Sequence, residues 1–219
     1  MSTESRKPAR ILVVDDHPVV RLGIRQMIAS EPTLEVCGEA DSMEAALRAL
    51  RSTEANLALV DLSLADGHGL ELIRAMREIA PDVAVLVLSM HDEMLFAERA
   101  LRAGARGYIM KQEAIGGLVD AIQQVLAGRV FLSDRMAQKI LEQVAQRRAD
   151  ADGPLGNLTD RELEVFEMIG RGLSATAIAD ALSVSLKTVE THRANIRTKL
   201  GLEDLAALIR FAVSWTERL

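Results

Sequence analysis

The sequence of 219 residues contains little that would crosslink the chain or anchor it in a membrane. Cys37 is the one cysteine, so no disulfide can form within one chain, and we expect a buried, inert thiol. Aromatic residues make up only 3% of the chain, so its cores must consist of Leu, Val, Ile and Ala. No window reaches the length of about 18–20 apolar residues that a membrane span needs, and the polar N-terminus lacks the apolar core of a signal peptide. These absences predict a cytoplasmic protein with no membrane partner.

The chain also lacks an excess of positive charge. Its net charge of −6 argues against a protein that coats nucleic acid non-specifically. Lys187, Arg193, Arg197 and Lys199 nevertheless fall within thirteen positions, where Glu190 is the opposing charge. The sequence therefore predicts a local basic stripe near its C-terminal end.

Five short apolar runs alternate with amphipathic stretches through residues 10–130. Continuously apolar or β-branched runs of this length predict strands, and the amphipathic stretches predict helices. Because strands and helices alternate, we expect an α/β domain whose five-stranded parallel sheet is covered by helices on both faces. Residues 1–9 predict a disordered N-terminus.

The second half of the chain changes character at residue 131. Residues 131–157 predict a linker, which comprises a helix from Ser133 to about Arg148 and the flexible stretch ADADGPLGN. Residues 158–219 show only helical patterns and begin with the capping box TDRE at Thr159. We expect a second, all-α domain there.

Polar side chains end four of the five predicted strands. Asp15 and Asp16 close the first strand, Asp61 the third and Ser89 the fourth, and Lys111 follows the fifth. Ligands of open parallel sheets bind beyond the carboxyl ends of the strands, so these side chains should converge on one cleft. Carboxylates packed together cannot all stay ionised without a counter-charge, and Mg²⁺ (or Mn²⁺) would supply one through oxygen ligands.

A phosphoryl group completes the chemistry of this cleft. Asp61 would attack phosphorus as a carboxylate nucleophile, Lys111 would pair with one phosphoryl oxygen, and Ser89 would donate a hydrogen bond to another. Taken singly, each of these residues is an ordinary turn, loop or surface residue. Polar residues at the ends of four strands of one sheet are less easily explained by chance, so together they favour a functional site.

Residues 10–129 resemble the receiver domain of a bacterial two-component response regulator, through the run ILVVDDHP and the strand-end residues. The resemblance implies a flavodoxin-like, doubly wound fold with Asp61 as the phosphoacceptor. It also implies that Asp16 binds the metal directly and Asp15 chiefly through water, and that the backbone carbonyl of Ser63 completes the coordination.

Two further positions follow from the same resemblance. Ser89 and Tyr108 match the family's switch pair, in which the hydroxyl turns toward the phosphoryl group and the aromatic ring swings inward. The histidines fit no metal motif. We expect His17, His68 and His91 to lie at the rim of the cleft.

The sequence departs from the receiver pattern at three places. Leu64-Ala65 stands where the family often has Met-Pro, so we expect the loop after Asp61 to be less constrained. Met90 stands where a small residue is common and would narrow access for a small phosphodonor. Gln112 stands where many receivers have a proline, so a cis-proline turn is excluded there.

A helix-turn-helix pattern dominates the last domain. Val189, Ile196 and Leu200 form an apolar stripe on a helix whose other positions are basic or small, as suits a helix that enters the major groove. Residues 158–201 resemble the LuxR-type domain of response regulators of the NarL/FixJ class. The resemblance implies a four-helix DNA-binding domain with Leu186–Leu200 as its recognition helix.

The recognition helix carries two implied groups of DNA contacts. Glu190, Thr191 and Ala194 would face base edges. The implied contacts with phosphates and flanking DNA are Lys187, His192, Arg193, Arg197 and Lys199. Glu190 and Ala194 stand where such regulators often carry basic or polar readers, so an altered base preference is expected.

The whole chain therefore predicts a phosphorylation-dependent transcriptional regulator. A sensor histidine kinase would phosphorylate Asp61, and the protein would bind promoter DNA as a homodimer formed on phosphorylation or on DNA, with RNA polymerase as a further partner. The last helix carries an apolar stripe. We expect some of its residues to be part of the core and the others to form a candidate dimer seam; they are Leu205, Leu208, Ile209 and Ala212. Apart from self-phosphorylation and slow autodephosphorylation, no enzymatic activity is expected.

Two alternatives stay open. An aspartyl-phosphate hydrolase would use the same acids and Mg²⁺, but the chain places Asp15 and Asp16 side by side and lacks an Asp-x-Asp nucleophile–acid pair. A binding-only regulator that takes no phosphate is consistent with the loop departures.

Overall fold

The computed structural model describes residues 7–145 and 153–217 of the chain. The fold divides into two compact units, with the boundary directly after Ala137. Residues 1–6 of the predicted disordered N-terminus, and residues 146–152 of the predicted linker, lie outside the described residues. Within the described ranges, no helix combines the length and the apolarity needed to cross a membrane.

The first unit is built around a five-stranded parallel sheet, which confirms the predicted fold class. The strands of the unit are β1 (Ala9–Val14), β2 (Leu34–Ala40), β3 (Leu57–Val60), β4 (Ser63–Leu64), β5 (Gly67–His68), β6 (Ala84–Ser89) and β7 (Gly107–Met110). The sheet has the order β2-β1-β3-β6-β7, with parallel pairing throughout, whereas β4 and β5 form a separate hairpin. All four residues of β3 are buried, because helices cover both faces of a doubly wound sheet.

The helices begin and end at the signals that the sequence carries. They are α1 (Pro18–Ala29), α2 (Met43–Ser52), α3 (Gly69–Ile79), α4 (Glu93–Ala103), α5 (Ala114–Leu126) and α6 (Asp134–Ala145). Asp92 caps α4, since its carboxylate accepts from the N–H of Met94 at 2.8 Å. Gly104 ends the same helix with φ of 124°, a conformation that favours glycine.

The loop after β3 folds into a hairpin that the sequence did not predict. Ser63 pairs with His68 across β4 and β5. At the tip of the hairpin, the Asp66 carboxylate accepts from the N–H groups of Met43 at 2.8 Å and Glu44 at 3.2 Å, at the positive end of α2. The tip of the loop is therefore held by a helix N-terminus, and the expectation that this loop is less constrained than a Met-Pro loop stays a prediction.

A close backbone approach fixes the other end of this hairpin. Gly69 donates its N–H to the carbonyl of Leu62 at 2.7 Å. A Cβ at Gly69 would overlap the carbonyl oxygen of Asp61 and lie 2.7 Å from the Cα of Leu62. Only glycine allows α3 to begin so near to the residue that follows β3.

The segment after α5 docks on the open edge of the sheet. Tyr108 donates its N–H to the carbonyl of Phe131 at 2.9 Å, which places Phe131 beside β7. Two residues later, the Glu93 carboxylate accepts from both the N–H of Ser133, at 2.9 Å, and its hydroxyl. The start of the predicted linker is thus held by the first unit.

The second unit contains the four predicted helices of the C-terminal domain. They are α7 (Asp160–Gly170), α8 (Ala175–Ala181), α9 (Leu186–Lys199) and α10 (Leu205–Thr216). The capping box is formed as predicted, with Thr159 and Glu162 each bonding the backbone N–H of the other. Gly153–Asn157, the last part of the predicted linker, forms a 3₁₀ helix in which Leu155 is buried.

Replacing Gly69 by alanine tests the close approach. We expect Gly69→Ala to lower the free energy of unfolding of the first unit by about 1–3 kcal/mol, the usual cost of overpacking against fixed atoms. Calorimetry of the full chain measures the loss, while the fluorescence of Trp215, the only tryptophan, follows the second unit as an internal reference.

The matched control is Gly23→Ala in α1, where an added Cβ meets nothing within 4 Å. This variant should be more stable than the wild type by about 0.5–1 kcal/mol, because alanine is the better helix former. Equal effects of the two substitutions on the free energy of unfolding would contradict the conclusion that Gly69 is required by the close approach of the backbone.

Candidate metal centre and basic helix

The carboxyl edge of the sheet brings together the acids and the lysine that the sequence singled out. Asp15 follows β1, Asp61 follows β3, and Lys111 follows β7. The Nζ atom of Lys111 lies 2.6 Å from Oδ2 of Asp61 and 2.7 Å from Oδ2 of Asp15. The two carboxylates are only 3% and 1% exposed, so two buried acids share one cation.

The electrostatics of this cluster follow from burial. Burial raises the pKa of Asp61 above its usual range, Lys111 opposes that rise, and the neighbouring Asp15 adds to it. Burial by itself would lower the pKa of Lys111, but its ion pairs with Asp61 and Asp15 raise it above the ordinary value. The lysine is therefore charged, and the cleft still holds more negative charge than this one lysine neutralises.

These residues fit a divalent cation. Single ligand atoms from Asp15, Asp16, His17 and Asp61 all lie within 4.8 Å of one another. Three of the four are carboxylate oxygens, the donors that Mg²⁺ and Mn²⁺ prefer. His17 was not predicted in this set, and its Nδ1 lies 2.6 Å from Oδ1 of Asp16. The acidic cluster can therefore hold a metal ion.

The loop between β1 and α1 is held from two sides. The N–H of His17 donates to Oδ1 of Asp15 at 2.8 Å, which orients that carboxylate. A guanidinium nitrogen of Arg21 donates to the backbone carbonyl of Asp15 at 2.6 Å, and the same guanidinium lies 3.4 Å from the carboxylate of Glu39 on β2. The first acid is thus fixed in both its backbone and its side chain.

The remaining predicted site residues lie around the same edge. The N–H of Ser63 donates to Oδ1 of Asp61 at 3.3 Å. Ser89 is fully buried, and its Oγ accepts from the N–H of His91 at 3.2 Å. The ring of Tyr108 is buried, and its hydroxyl donates to the carbonyl of His91 at 2.9 Å. The aromatic member of the predicted switch pair therefore already points inward in this structure.

Two of the three histidines expected at the rim are in fact buried. His17 is exposed as expected, whereas His68 and His91 are each only 4% exposed. The ring centroid of His91 lies 4.8 Å from that of Phe96, and the His68 ring stacks with Phe96 at a centroid distance of 6.1 Å. The prediction for these two positions is wrong, because α4 packs Phe96 against the hairpin and covers both rings.

The other two departures from the receiver pattern are at Met90 and Gln112. Met90, which follows β6, is about half exposed, and its effect on access for a phosphodonor stays a prediction. No peptide bond among the described residues is cis, in agreement with the absence of a proline at Gln112.

The recognition helix predicted in the second unit has one buried and one exposed side. Of the predicted stripe, Val189 and Ile196 are fully buried, whereas Leu200 is only partly buried. The exposed positions include Lys187, Glu190, Thr191 and Ala194 of the predicted DNA contacts, while Arg197 is partly buried. The three predicted base readers therefore share the open face of α9.

The other three predicted contacts are engaged within the second unit. Lys199 Nζ lies 2.6 Å from Oε2 of Glu162, which belongs to the capping box of α7. The side chain of Arg193 is only 11% exposed and reaches Glu190 at 3.2 Å. Burial, together with the nearby Arg161, lowers the pKa of His192, which favours its neutral form, and the residue is partly buried on α9.

The apolar stripe of α10 divides as expected. Leu208 and Ala212 are fully buried in the second unit, whereas Leu205 and Ile209 are about two-fifths exposed. The exposed pair leaves a candidate dimer seam, and the role of that seam stays a prediction.

Comparison with known families assigns both units. Residues 11–123 match the model of the response regulator receiver domain, and residues 156–212 match that of the luxR family of bacterial regulatory proteins. The chain is 35% identical to the response regulator GacA of Pseudomonas aeruginosa, over 93% of this chain and 95% of that protein. It is 33% identical to the DNA-binding transcriptional activator DevR/DosR of Mycobacterium tuberculosis, over 93% of each.

The fold also resembles a solved complex. RcsB from Salmonella enterica serovar Typhimurium, bound to the promoter rprA in the presence of the phosphomimetic BeF3−, superposes with a TM-score of 0.62 at 26% identity. The match covers 94% of this chain and 99% of that one.

The crowded acids should cost the folded chain stability. The pKa of Asp61 is higher in the folded state than in the unfolded state, so the folded state loses stability as the pH rises through that interval, and the loss persists above it. We expect Asp61→Asn, which carries no charge, to raise the unfolding temperature of the first unit at neutral pH in EDTA. A rise of about 3–6 °C corresponds to about 1 kcal/mol in a domain of this size.

Excess Mg²⁺ should reverse the order of the unfolding temperatures, so that the wild type unfolds above Asp61→Asn. The wild type gains stability by binding the ion, and the variant, which lacks one carboxylate, gains less. Asp120→Asn, at an exposed position of α5, is the control and should follow the wild type in both conditions. An Asp61→Asn chain that unfolds below the wild type in EDTA would contradict this account.

Proposed function

This chain belongs to the bacterial response regulators that join a receiver domain to a LuxR-type DNA-binding domain, and we propose that it is a phosphorylation-dependent transcriptional regulator of a two-component system. The observation that carries the proposal is the buried Asp61, paired with Lys111 at 2.6 Å beside two further carboxylates. Members of this family are DNA-binding regulators rather than classical enzymes. Phosphorylation of Asp61 is accordingly a signal, with slow autodephosphorylation to end it.

The proposed reaction is a single phosphoryl transfer. A carboxylate oxygen of Asp61 attacks the phosphorus of a phosphohistidine on a sensor histidine kinase. The new P–O bond forms as the P–N bond breaks, and the electron pair of that bond stays on the imidazole. Lys111 pairs with one phosphoryl oxygen, and Ser89, at the end of β6, donates to another. Water later cleaves the acyl phosphate and restores the carboxylate.

We assign Mg²⁺ to the acidic cluster, with Mn²⁺ as a substitute. Asp15, Asp16, Asp61 and the backbone carbonyl of Ser63 would hold it, and it would neutralise charge on the phosphoryl oxygens when bound. The fit rests on the donor set, which is rich in oxygen, and on the excess negative charge beside Lys111. The N–H of Ser63 keeps one oxygen of Asp61 oriented.

The second unit would read promoter DNA through α9. Glu190, Thr191 and Ala194 are exposed there, and they would face base edges in the major groove. A glutamate accepts from cytosine N4 and an alanine contacts a thymine methyl, so the base preference should reflect these two side chains. Lys187 and Arg197 would contact phosphates, with His192, Arg193 and Lys199 at the flanks.

Several partners follow from this proposal. One recognition helix reads few base pairs, so the chain would bind paired half-sites as a homodimer formed on phosphorylation or on DNA, with Leu205 and Ile209 of α10 in the candidate seam. The other protein partners would be the sensor histidine kinase and RNA polymerase. Because the promoter lies in the cytoplasm, we place the protein there.

Phosphoryl incorporation tests the receiver function. The wild-type chain should take up an acid-labile and hydroxylamine-labile phosphoryl group from acetyl phosphate, or from a cognate kinase, and only with Mg²⁺ present. Asp61→Asn should lose the label entirely, because the nucleophile is gone. Uptake is measured as radiolabel retained on the intact chain.

Asp82→Asn is the matched control, since Asp82 is exposed and follows α3, away from the carboxyl edge of the sheet. It should label as the wild type does. Label on Asp61→Asn at the wild-type level would refute the assignment, and sustained release of phosphate over many turnovers would favour a hydrolase.

Salt dependence tests the DNA-binding face. We expect Lys187→Ala to weaken binding about equally on all sequences and to reduce the slope of log K against log salt by about 1, because one phosphate contact is lost. The phosphorylated chain and a duplex selected from a random pool serve as reagents. Arg51→Ala makes the same change of net charge on α2 and should leave the slope unchanged; equal slopes for the two variants would contradict the prediction.

A further inference from the structure

His91 contacts three of the predicted site residues at once. Its Nε2 lies 2.8 Å from the hydroxyl of Ser63, its N–H donates to Ser89, and its carbonyl accepts from Tyr108. We propose that His91 is a positioning residue that couples occupancy of Asp61 to the environment of Tyr108. The inference rests on the proposed function and adds to it a residue that the family resemblance did not assign.

The imidazole acts through the hairpin. Ser63 donates its N–H to Asp61 at 3.3 Å, so the ring of His91 holds the segment that orients the acceptor carboxylate. Residues that orient metal-binding groups in this way commonly change metal affinity about 10- to 100-fold when they are removed. The hydrogen bond between Ser63 and His91 joins residues 28 positions apart, across the gap between β4 and the end of β6.

The backbone of the same residue acts on the switch pair. Ser89 and Tyr108 are both buried, and each bonds a different backbone group of His91. Any movement of Ser89 toward a phosphoryl group shifts the acceptor of its hydrogen bond with His91. The peptide carbonyl that holds the hydroxyl of Tyr108 must then adjust, because N–H and carbonyl belong to one residue. A ligand at Asp61 thereby reaches Tyr108 through two separate contacts on His91.

Packing alone is the competing explanation. The ring of His91 lies 4.8 Å from that of Phe96, and a buried aromatic neighbour would by itself account for its burial. Phenylalanine keeps that packing and loses the hydrogen bond to Ser63, whereas glutamine keeps a polar group within reach of Ser63. The two substitutions therefore separate the two roles.

Fluorine NMR supplies the measurement. Tyr108 is the only tyrosine in the chain, so labelling with 3-fluorotyrosine gives one resonance, which reports on this site alone. Full-length wild type, His91→Phe, His91→Gln and Ser63→Ala are titrated with beryllofluoride in the presence of Mg²⁺. The concentration at half-saturation gives the affinity, and the shift at saturation gives the response of Tyr108. The unfolding temperature of each variant confirms that it is folded.

We expect His91→Phe to bind the phosphoryl analogue about tenfold more weakly and to lose at least about half of the Tyr108 shift. His91→Gln should recover most of both effects. Ser63→Ala should resemble His91→Phe, and the double variant should be no worse than either, since both remove the same bond.

Wild-type affinity and shift in His91→Phe would overturn the proposal and leave packing as the explanation. If His91→Phe binds beryllofluoride more weakly but shows the full wild-type shift of Tyr108 at saturation, the proposed coupling to Tyr108 is also overturned. A wild-type chain that gives no response to Mg²⁺ and beryllofluoride would instead overturn the proposed function, and the coupling with it.

Discussion

Two buried carboxylates that share one lysine impose the main constraint on this protein. Asp15 and Asp61 lie at neighbouring strand ends, both within 2.7 Å of the Nζ atom of Lys111. Burial weakens the hydration that would otherwise separate like charges, so the arrangement costs stability in the absence of a further cation. A fold that keeps it must hold the acids in place by other means. The same excess of negative charge is what makes the cleft suited to a divalent ion and to reversible addition of a phosphoryl group.

The surroundings of the cleft consist largely of such restraints. Arg21 holds the backbone of Asp15, and Gly69 permits α3 to start against the carbonyl of Asp61. Asp66 ties the following hairpin to the N-terminus of α2. Each of these three restraints acts on the backbone beside Asp15 or Asp61 and leaves the charge of the two carboxylates unchanged. His91 extends the same principle from the acceptor loop to the buried switch pair.

The second unit divides its charges in a comparable way. Lys199 on α9 is bound to Glu162 on α7, so this cation serves the packing of the two helices as well as the surface. Arg193 is largely covered and pairs with Glu190 on α9 itself. Lys187 and Lys199 are both exposed, but Lys199 is also held by its ion pair with Glu162. The basic residues that are adjacent in the sequence therefore differ in the fold, because among the described residues some are paired with acids and others are not. DNA affinity should depend most on the exposed cations that have no ion pair within the described part of the second unit, such as Lys187.

Local pattern was enough to determine the five strands of the parallel sheet and the ten α-helices found in the described part of the chain. It also determined the capping box at Thr159 and the strand-end positions of Asp61 and Lys111. These features depend on hydrophobic period and on residues a few positions apart, which a sequence displays directly. Tertiary structure alone decided the burial of His91 and the pairing of Lys199 with Glu162, 37 positions away. Contacts between residues so far apart in the sequence depend on how helices pack on the sheet and on each other. The hydrophobic period of a segment does not show which polar side chains will meet across such an interface.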